Sequence, residues 1–455
     1  MSNVYGIQSL ILFTIRKIVL LMEHFWLYLL SQHVWKYFWQ YFPLTMIGLW
    51  RWSSWVVKKI CSLFYKPIVV TENHPCAATL CIIAPVYNEK PELFTQALLS
   101  WYANEPNELI AVIDQRDKEC VYIFEQFARD KPMAKLIVTS KPGKRPALVD
   151  GILKSKSGIV ALVDSDVVWA PNIKNKLLVP FKDPKIGGVT ARQNSLESKT
   201  IWQKMANIQW NQRNYLDWPS QAAMGNSLSC LSGRTALYRR HILLPKLNEF
   251  LNEIILGKKK ESGEDKCLTR LIQKDGWKTY YQSNAQVFTE ASPNFKTFIN
   301  QKVRWSRNTF NSDLLSLSQG WIWKRPYLTF FTVDKLVSVF TIFIGPIAFG
   351  GALYLDKMTL AISILILWLV GRGIKLSPHL RNHPKDIFIL PAYIGINFML
   401  ALVRLYALVT LREQKWIRST VRYNKRFGLF KKIGHWIITG NIIMGIIFLV
   451  VTHVL

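Results

Sequence analysis

Two aspartates, Asp164 and Asp166, stand two residues apart in the sequence ALVDSDVVW, where a buried strand is predicted to end. Like-charged carboxylates at such a position are costly unless a cation lies between them. Oxygen ligands suit Mg²⁺ or Mn²⁺, and such an ion would in turn hold the phosphates of a nucleotide. The pair therefore predicts a divalent-metal site, with a solvated turn as the alternative interpretation.

A basic segment with a central glycine precedes this pair. In KPGKRPALVDG, Lys141, Lys144 and Arg145 surround a glycine at a predicted helix start. Backbone N–H groups and cationic side chains at a helix start favour a phosphate. Taken alone the segment is only a basic loop, but its place between two strand ends with polar residues predicts a phosphate contact near the aspartate pair.

A second acidic pair, Glu264 and Asp265, opens the predicted helix in ESGEDKCLTRLIQKDGWKTYY. Acids are favoured in a first helical turn, which is one interpretation. The other is catalytic, because a transferase that activates an acceptor hydroxyl needs a carboxylate base within reach of it.

A third group, in FINQKVRWSRNTF, brings Lys302, Arg304, Trp305 and Arg307 directly before a long apolar, aromatic region. Anchoring at a membrane surface would explain these residue types. It would not explain their arrangement, so a role in binding is the second interpretation.

The segment 79–290 predicts the scaffold for these side chains. Four apolar runs have the composition of buried parallel strands: LCIIAPVYN, ELIAVID, AKLIVTS and IVALVDSD. Helical patterns lie between them at Pro91–Tyr102, Glu119–Arg129 and Arg145–Lys154. The alternation predicts an open α/β sheet, in which ligands bind at the carboxyl ends of the strands. The polar residues at these ends are Tyr87, Asn88, Glu89, Asp114, Asp164, Ser165 and Asp166.

The bulk composition indicates a membrane protein with a soluble part. Of the 455 residues, 50% are hydrophobic, which is too apolar for an ordinary soluble chain. Lysine and arginine outnumber the acids by 58 to 29, and a cationic cluster occupies residues 412–432. The positive-inside bias places this cluster in the cytoplasm, and no zinc-finger or RNA-binding signature supports nucleic acid as a partner. The cysteine and histidine spacings indicate neither a disulfide framework nor a zinc site.

Four C-terminal segments come close to the length and apolarity of a membrane span: Val337–Leu355, Met358–Gly371, Phe388–Leu411 and Trp436–Leu455. The second is short, so it is either re-entrant or extended by its flanks. The aromatic segment Tyr327–Asp334 predicts a helix lying at the membrane surface. Residues 1–66 predict one or two spans or an amphipathic interfacial pair, because charges interrupt their apolar runs.

An ordered series of motifs carries a family resemblance: APVYNE, the strand-ending Asp114, GKR, DSD, GGVTARQN, LSGRTALYRR, GEDKCLTRLIQKDGWKTYY and QKVRW. In this order they closely resemble the processive family-2 glycosyltransferases, which include hyaluronan synthases, chitin-type and nodulation N-acetylglucosaminyltransferases and cellulose synthases. The match covers residues 79–310. It extends weakly through HPKDIFILPAYIGINFMLALVRLYALVTLREQKW, which looks like the membrane region of hyaluronan synthases.

The resemblance implies a cytosolic GT-A-type nucleotide-binding domain at residues 67–310, inserted between N-terminal and C-terminal membrane helices. Residues 1–66 would be membrane or interfacial helices, 311–335 an interfacial region and 336–455 a transmembrane channel region. The implied protein is integral to the plasma membrane. Its implied activity is the inverting transfer of sugar from UDP-sugar donors to a growing polysaccharide, with Mn²⁺ or Mg²⁺ as cofactor.

The resemblance also implies roles for residues that match the family's motifs. On the donor side, Tyr87 would stack on uracil, and the nucleotide sugar would be held by Glu89, Asp114, Lys144 and Asp164. Asp166, together with Asp164, would bind the metal and the diphosphate.

On the acceptor side, Asp265 would be the general base, and Ser232 and Gly233 would line the acceptor site. Gln301, Arg304 and Trp305 match the Q-x-x-R-W motif of processive members. There the arginine meets the diphosphate and the tryptophan stacks against the acceptor sugar, as a guanidinium and an indole face can do.

Two departures from the hyaluronan synthases leave the sugar open. Arg234 follows Ser-Gly where those enzymes usually have proline, and Trp416–Ser419 lacks the expected glycine. A nonprocessive glycosyltransferase acting on a lipid-linked acceptor and a catalytically silent membrane scaffold are the alternatives from other classes.

Overall fold

A mixed eight-stranded sheet forms the centre of the soluble part. The computed structural model describes residue 20 and residues 32–70, 78–413 and 439–440. The strands are β1 (Leu80–Val86), β2 (Glu108–Asp114), β3 (Ala134–Thr139), β4 (Ile159–Leu162), β5 (Val167–Trp169), β6 (Ile186–Ser195), β7 (Ala236–Arg239), β8 (Ile254–Ile255), β9 (Lys258–Lys259) and β10 (Lys278–Thr289). The sheet has the order β3-β2-β1-β4-β7-β6-β10-β5, and β8 and β9 form a separate pair.

The first four strands of the chain lie side by side and parallel, which confirms the expected open α/β sheet. Every residue of β2 is buried, as a strand covered on both faces should be. The other half of the sheet is mixed. Strand β7 runs antiparallel to both β4 and β6, β5 runs antiparallel to β10, and β6 and β10 are parallel.

The helices that cover or follow the sheet are α2 (Pro91–Tyr102), α3 (Lys118–Ala128), α4 (Lys144–Lys154), α5 (Lys174–Leu178), α6 (Ile201–Gln212), α7 (Trp218–Ala223), α8 (Arg240–Leu243), α9 (Leu247–Leu251), α10 (Glu264–Lys274) and α11 (Phe295–Ser318). They follow α1 (Gln32–Leu63), which precedes the sheet. The three helices predicted between the first strands are confirmed to within one residue at each end.

Helix α4 lies close against the sheet, which fixes its N-terminus at the carboxyl ends of the strands. A Cβ atom at Gly151 would lie 2.4 Å from Cγ2 of Ile83 in β1, so only glycine permits this approach. The close packing places Lys144, the first residue of α4, beside the ends of β1 and β4.

Four apolar helices follow the soluble part: α12 (Pro326–Thr341), α13 (Ile344–Tyr354), α14 (Met358–Asn382) and α15 (Leu390–Val409). Within the described part of the chain, three helical segments are long and apolar enough to cross a membrane: Pro326–Tyr354, Met358–Asn382 and Pro384–Val409. The segment expected to be short, Met358–Gly371, continues as a helix for three further turns to Asn382.

Several expectations for the membrane region differ from the structure or concern residues outside the described part of the chain. Tyr327–Asp334 is not a separate surface helix, because these residues form the first turns of α12 and continue into the first candidate span. Helix α11, which carries Q-x-x-R-W, likewise extends past residue 310 to Ser318. The apolar run before residue 32, the basic segment beyond Glu413 and nearly all of Trp436–Leu455 lie outside the described residues.

Candidate active site

One cavity of about 1110 Å³ brings together all twelve residues that the motifs singled out. They are Tyr87, Glu89, Asp114, Lys144, Asp164, Asp166, Ser232, Gly233, Asp265, Gln301, Arg304 and Trp305. The carboxyl ends of β1, β2 and β4 form one end of the cavity. Phe331 and Lys335 of α12 and Arg404 of α15 also line it, so the same cavity reaches the apolar helices.

Lys144 connects the aspartate pair to helix α10. Its Nζ atom contacts Oδ1 of Asp164 and lies 2.5 Å from Oε1 of Glu264. Burial lowers the pKa of Lys144, but the two carboxylates outweigh burial and raise the pKa above its usual value. For Glu264 burial raises the pKa, and the Lys144 ammonium outweighs it and brings the value to about 2. Both groups are therefore charged at neutral pH and form an internal ion pair.

The negative charge of Asp166 is only partly offset, because burial and the neighbouring carboxylates raise its pKa more than the Arg234 charge lowers it. Burial is the main cause that raises the pKa of Asp166 to about 6, and the neighbouring carboxylates Asp164 and Glu89 raise it further. Its Oδ2 atom accepts a hydrogen bond from Thr289 Oγ1 at 3.0 Å. Lys144 contacts Asp164 on the other side of the pair, so Asp166 is the carboxylate that a bound cation would stabilise most.

Asp265 lies at the N-terminus of α10, facing the glycine of the Ser-Gly motif. The backbone N–H of Gly233 donates to Oδ2 of Asp265 at 3.4 Å. A Cβ atom on Gly233 would lie 3.3 Å from Nζ of Lys144, so a larger residue would crowd this corner. Burial and then the charge of Glu264 raise the pKa of Asp265, which suits a group that accepts a proton near neutral pH.

A slot bounded by Tyr87, Asp114 and Arg116 lies at the strand end of the cavity. The Arg116 guanidinium donates to both carboxylate oxygens of Asp114, at 2.8 and 2.7 Å, and lies over the Tyr87 ring at 5.0 Å. These hydrogen bonds from Arg116 hold the pKa of Asp114 below its usual value. A flat aromatic ring with a charged carboxylate beside it is suited to a nucleobase.

The Q-x-x-R-W residues project from α11 into the cavity. Arg304 and Trp305 follow Gln301 by three and four residues, which places both on the helix face of Gln301. Gln301 Oε1 accepts a hydrogen bond from Ser292 Oγ at 3.3 Å. The Trp305 ring has Lys302 Nζ 4.8 Å from its centroid and the Arg234 guanidinium 5.3 Å from it.

Several residues of the cavity were not assigned a role from the sequence: Arg116, Arg213, Arg234, Thr289, Lys302 and Arg404. Arg234 and Lys302 lie inside motifs, beside Gly233 and Gln301, and this neighbourhood in the sequence could have indicated that they line the site. Arg213 and Arg404 lie in helical segments where sequence gave no indication of which face meets the cavity.

The profile of the family described as "Glycosyltransferase like family 2" matches residues 81–308. The chain is 26% identical over 373 residues to a hyaluronan synthase of Streptococcus pyogenes, covering 79% of this chain and 87% of the relative. It is 28% identical over 397 residues to a type 2 glycosyltransferase of Pyricularia oryzae, covering 80% and 77%. A type 2 glycosyltransferase of Zymoseptoria tritici is 25% identical over 400 residues, covering 84% and 83%.

A mannosyltransferase from Pyrobaculum calidifontis, solved in complex with GDP-Man and Mn²⁺, is similar in structure. The TM-score is 0.55 at 14% sequence identity, covering 83% of this chain and 99% of that one. This likeness confirms the expected GT-A-like fold, which is followed, in the part of the chain that the structure describes, by three candidate membrane helices.

Proposed function

The chain belongs to the glycosyltransferase like family 2, and from that premise we propose that it is a processive, inverting polysaccharide synthase. It takes sugars from UDP-sugar donors, adds them to a growing extracellular polysaccharide that is hyaluronan-like or related, and passes the product through its own membrane helices. The observation that carries this proposal is the single cavity, lined at one end by strand-end residues and at the other by Phe331, Lys335 and Arg404 of the apolar helices.

The donor occupies the strand end of the cavity. Uracil stacks on Tyr87 beside Asp114, while Lys144 and Arg304 face the diphosphate. The Arg116 guanidinium lies over one face of the Tyr87 ring. Uracil therefore stacks on this ring either by displacing Arg116 or by using the opposite face. Glu89 accepts a hydrogen bond from Ser165 at 2.7 Å and so orients the loop that carries the aspartate pair.

A divalent cation, Mn²⁺ or Mg²⁺, is held by Asp166 and Asp164. The raised pKa of Asp166, with burial as the main cause and the Asp164 and Glu89 charges next, fits a site built for a cation. Asp166 and Asp164 are the two protein side chains that would hold the cation, and substrate phosphates and water would complete its oxygen ligands. When bound, the cation neutralises charge that develops on the departing diphosphate.

The acceptor lies between Trp305 and the Ser232-Gly233 segment. Its terminal hydroxyl faces Asp265, which takes the proton while the hydroxyl oxygen attacks the anomeric carbon from the side opposite the diphosphate. The bond between the sugar and UDP breaks, the configuration inverts and UDP leaves, with Arg304 next to the released charge. The N–H of Gly233 keeps the Asp265 carboxylate oriented.

We place the protein in the plasma membrane with its catalytic domain in the cytoplasm. Three candidate spans and the hyaluronan synthase relatives support a membrane protein. The cytoplasm contains the UDP-sugars, and the cationic cluster after residue 412 agrees with this orientation.

The test is incubation of the purified full-length protein with single UDP-sugars and with pairs, measuring UDP release and product size. UDP release with long product supports the synthase, and release only with two donors together indicates an alternating polymer. UDP release with a single sugar added to a lipid-linked acceptor supports the nonprocessive alternative. No UDP release with any donor contradicts both.

A further inference from the structure

Besides Lys335, which is paired with Asp313, four cationic side chains line the part of the cavity that faces the membrane helices: Arg213, Arg234, Lys302 and Arg404. They come from the π-helical turn 213–217, the segment after Gly233, α11 and α15, so the tertiary structure alone brings them together. We refer to these four residues as the cation cluster.

None of the four cations forms an ion pair at salt-bridge distance in the described residues, although the more distant carboxylates of Asp164, Asp166 and Asp265 act on Arg234 and that of Asp217 acts on Arg213. Elsewhere in the domain, buried arginines form ion pairs: Arg145 and Arg270 both contact Glu253, at 2.6 and 2.8 Å. In the cation cluster, Arg213 and Arg234 instead share one neutral acceptor, the Oε1 atom of Gln193. Neutral hydrogen bonds compensate a buried charge far less than a carboxylate does.

Aromatic rings cover the remaining faces of these cations. Arg234 lies over Trp210 at 4.2 Å, and Arg234 and Lys302 both lie near the Trp305 ring. Three donors behind this wall also lack a partner among the described residues, but protein encloses them and they do not open into the cavity: Nε of Arg213, Nε1 of Trp210 and Nε2 of Gln193. This wall of the cavity therefore offers positive charge with no carboxylate at salt-bridge distance in the described residues, and an anion is the ligand that compensates it.

The charges in the cluster destabilise one another. Burial lowers the pKa of Lys302 well below its usual value, and the charges of Arg213, Arg234 and Arg404 lower it further. Burial also lowers the pKa of Arg234 to about 10, with Arg213 as the next cause. Clustered, desolvated cations of this kind are costly to fold and become favourable when an anion binds.

We propose that the cation cluster binds a negatively charged group of the acceptor. This inference rests on the proposed function, in which the acceptor stacks on Trp305, because Arg234 and Lys302 lie against that same ring. The group is the carboxylate of an acidic sugar in the chain or the phosphate of a lipid-linked acceptor. A neutral glucan or chitin-like chain would leave the cluster unpaired.

Arg234 is the member that gives the cluster its specificity. It stands where hyaluronan synthases usually have proline, and its guanidinium contacts Gln193, Trp210 and Trp305. It thereby adds a charge directly beside the acceptor position. The donor diphosphate is assigned to Lys144, Arg304 and the metal pair, so binding of UDP should not depend on Arg234.

The test measures acceptor binding to the full-length protein in detergent without any donor. One probe is an acidic tetrasaccharide of alternating uronic acid and N-acetylhexosamine, compared with its carboxyl-reduced form. The second is geranyl phosphate, compared with geraniol. A charged partner in a desolvated site should improve binding by roughly 10- to 100-fold. Preference for the acidic tetrasaccharide identifies the carboxylate source, and preference for geranyl phosphate identifies the lipid phosphate.

Variants then assign the preference to the cluster. Arg234→Gln and Lys302→Gln should each reduce it about tenfold, and Arg234→Lys should restore part of it. Arg239→Gln is the matched control, because Arg239 also stacks on an aromatic ring, Phe181 at 5.3 Å, but lies outside the cavity. UDP affinity should stay within about twofold in all four variants.

Three results would overturn the proposal: equal binding of charged and uncharged probes by the unaltered protein, an unchanged preference in folded Arg234→Gln and Lys302→Gln proteins, or an equal loss of UDP affinity. The last would make the cluster part of the donor site. Because these measurements need no turnover, they remain decisive even if no UDP-sugar is consumed, which would contradict the proposed function alone.

Discussion

At the scale of single residues, Asp265 is the group on which the chemistry depends. Asp265→Asn keeps the shape and one hydrogen-bond acceptor but removes the base, so turnover should fall by about 10²- to 10⁴-fold. UDP affinity should barely change, because the donor contacts lie elsewhere. Burial and Glu264 raise the pKa of Asp265, so the rate should decline with falling pH at a higher pH than the ordinary aspartate value of about 3.9.

Turnover within a few-fold of the unaltered enzyme would make Asp265 only a helix-terminal acid. The loss would then be about 1 kcal/mol or less of stability. Glu264, which is paired with Lys144, would become the next candidate for the base.

Trp305 separates acceptor binding from membrane anchoring. Trp305→Ala should shorten or abolish the polymer while the protein stays folded, because it removes a ring that lines the cavity. Trp323 is the matched control, since its side chain is 58% exposed and lies outside the cavity. Product length is measured by gel filtration for both variants. Equal effects of Trp305→Ala and Trp323→Ala would return Trp305 to the role of an anchor.

Asp166 ties metal binding to stability. Its pKa of about 6 in the folded protein exceeds the ordinary aspartate value of 3.8, so its stability contribution is full below about pH 4 and is lost as pH rises through 6. Without metal, Asp166→Asn should therefore melt at a higher temperature than the unaltered protein at pH 7. Mn²⁺ should raise the melting temperature of the unaltered protein only. Stabilisation of both proteins by Mn²⁺ would move the metal site away from Asp166.

Chelation supplies the activity counterpart. UDP release should stop in chelator and return when Mn²⁺ or Mg²⁺ is added back. Full activity in chelator would contradict the assigned metal site.

At the scale of elements, a buried ion triad joins α4 to α10. Glu253 pairs with Arg145 of α4 at 2.6 Å and with Arg270 of α10 at 2.8 Å. These two helices carry Lys144 and Asp265 at their first turns, so the triad fixes the distance between phosphate contact and base. The triad is therefore a positioning device for the site.

Glu253→Gln should destabilise the protein by roughly 3–5 kcal/mol, because two buried guanidinium groups lose their carboxylate. Glu197→Gln is the control, because Glu197 pairs with Lys199 on the surface, where their side chains are 53% and 76% exposed. This substitution should lower the free energy of unfolding by about 1 kcal/mol or less. Burial raises the pKa of Glu253, but Arg145 and Arg270 outweigh burial and lower the pKa below its usual value. The stability that Glu253 contributes is therefore present above about pH 4 and is lost as pH falls through the lowered pKa. Chemical denaturation of both variants in detergent measures the difference, and equal losses would contradict the role of the triad.

At the scale of the whole molecule, we expect the protein to move its product across the membrane while it synthesises it. When the protein is reconstituted in vesicles with its catalytic domain outside, product made from external UDP-sugars should be inside and protected from an added glycosidase. The physical reason is that the cavity reaches α12 and α15, so a growing chain has the apolar helices ahead of it. A digestion assay before and after detergent lysis measures protection. Product fully digested without detergent would support a nonprocessive transferase.

The sequence by itself determined the strands that position the site. Buried parallel strands appear as continuous apolar runs, and the polar residues that end or follow each run lie at the carboxyl end of the sheet. Tyr87, Asp114 and Asp164 could therefore be placed there without coordinates. The same local information located the three helices between the first strands. It did not show that β5, β6, β7 and β10 make the other half of the sheet mixed, because strand direction depends on pairings between distant segments.

Only the tertiary structure decided which charges meet. Lys144 is 20 residues from Asp164 and 120 from Glu264 along the chain, and no local pattern indicates that one ammonium contacts both. Arg213 and Arg234 likewise share Gln193 from 20 and 41 residues away. Periodicity reports which face of an element is buried but not what lies opposite, so the ion pairs and the cation cluster follow from how the elements pack.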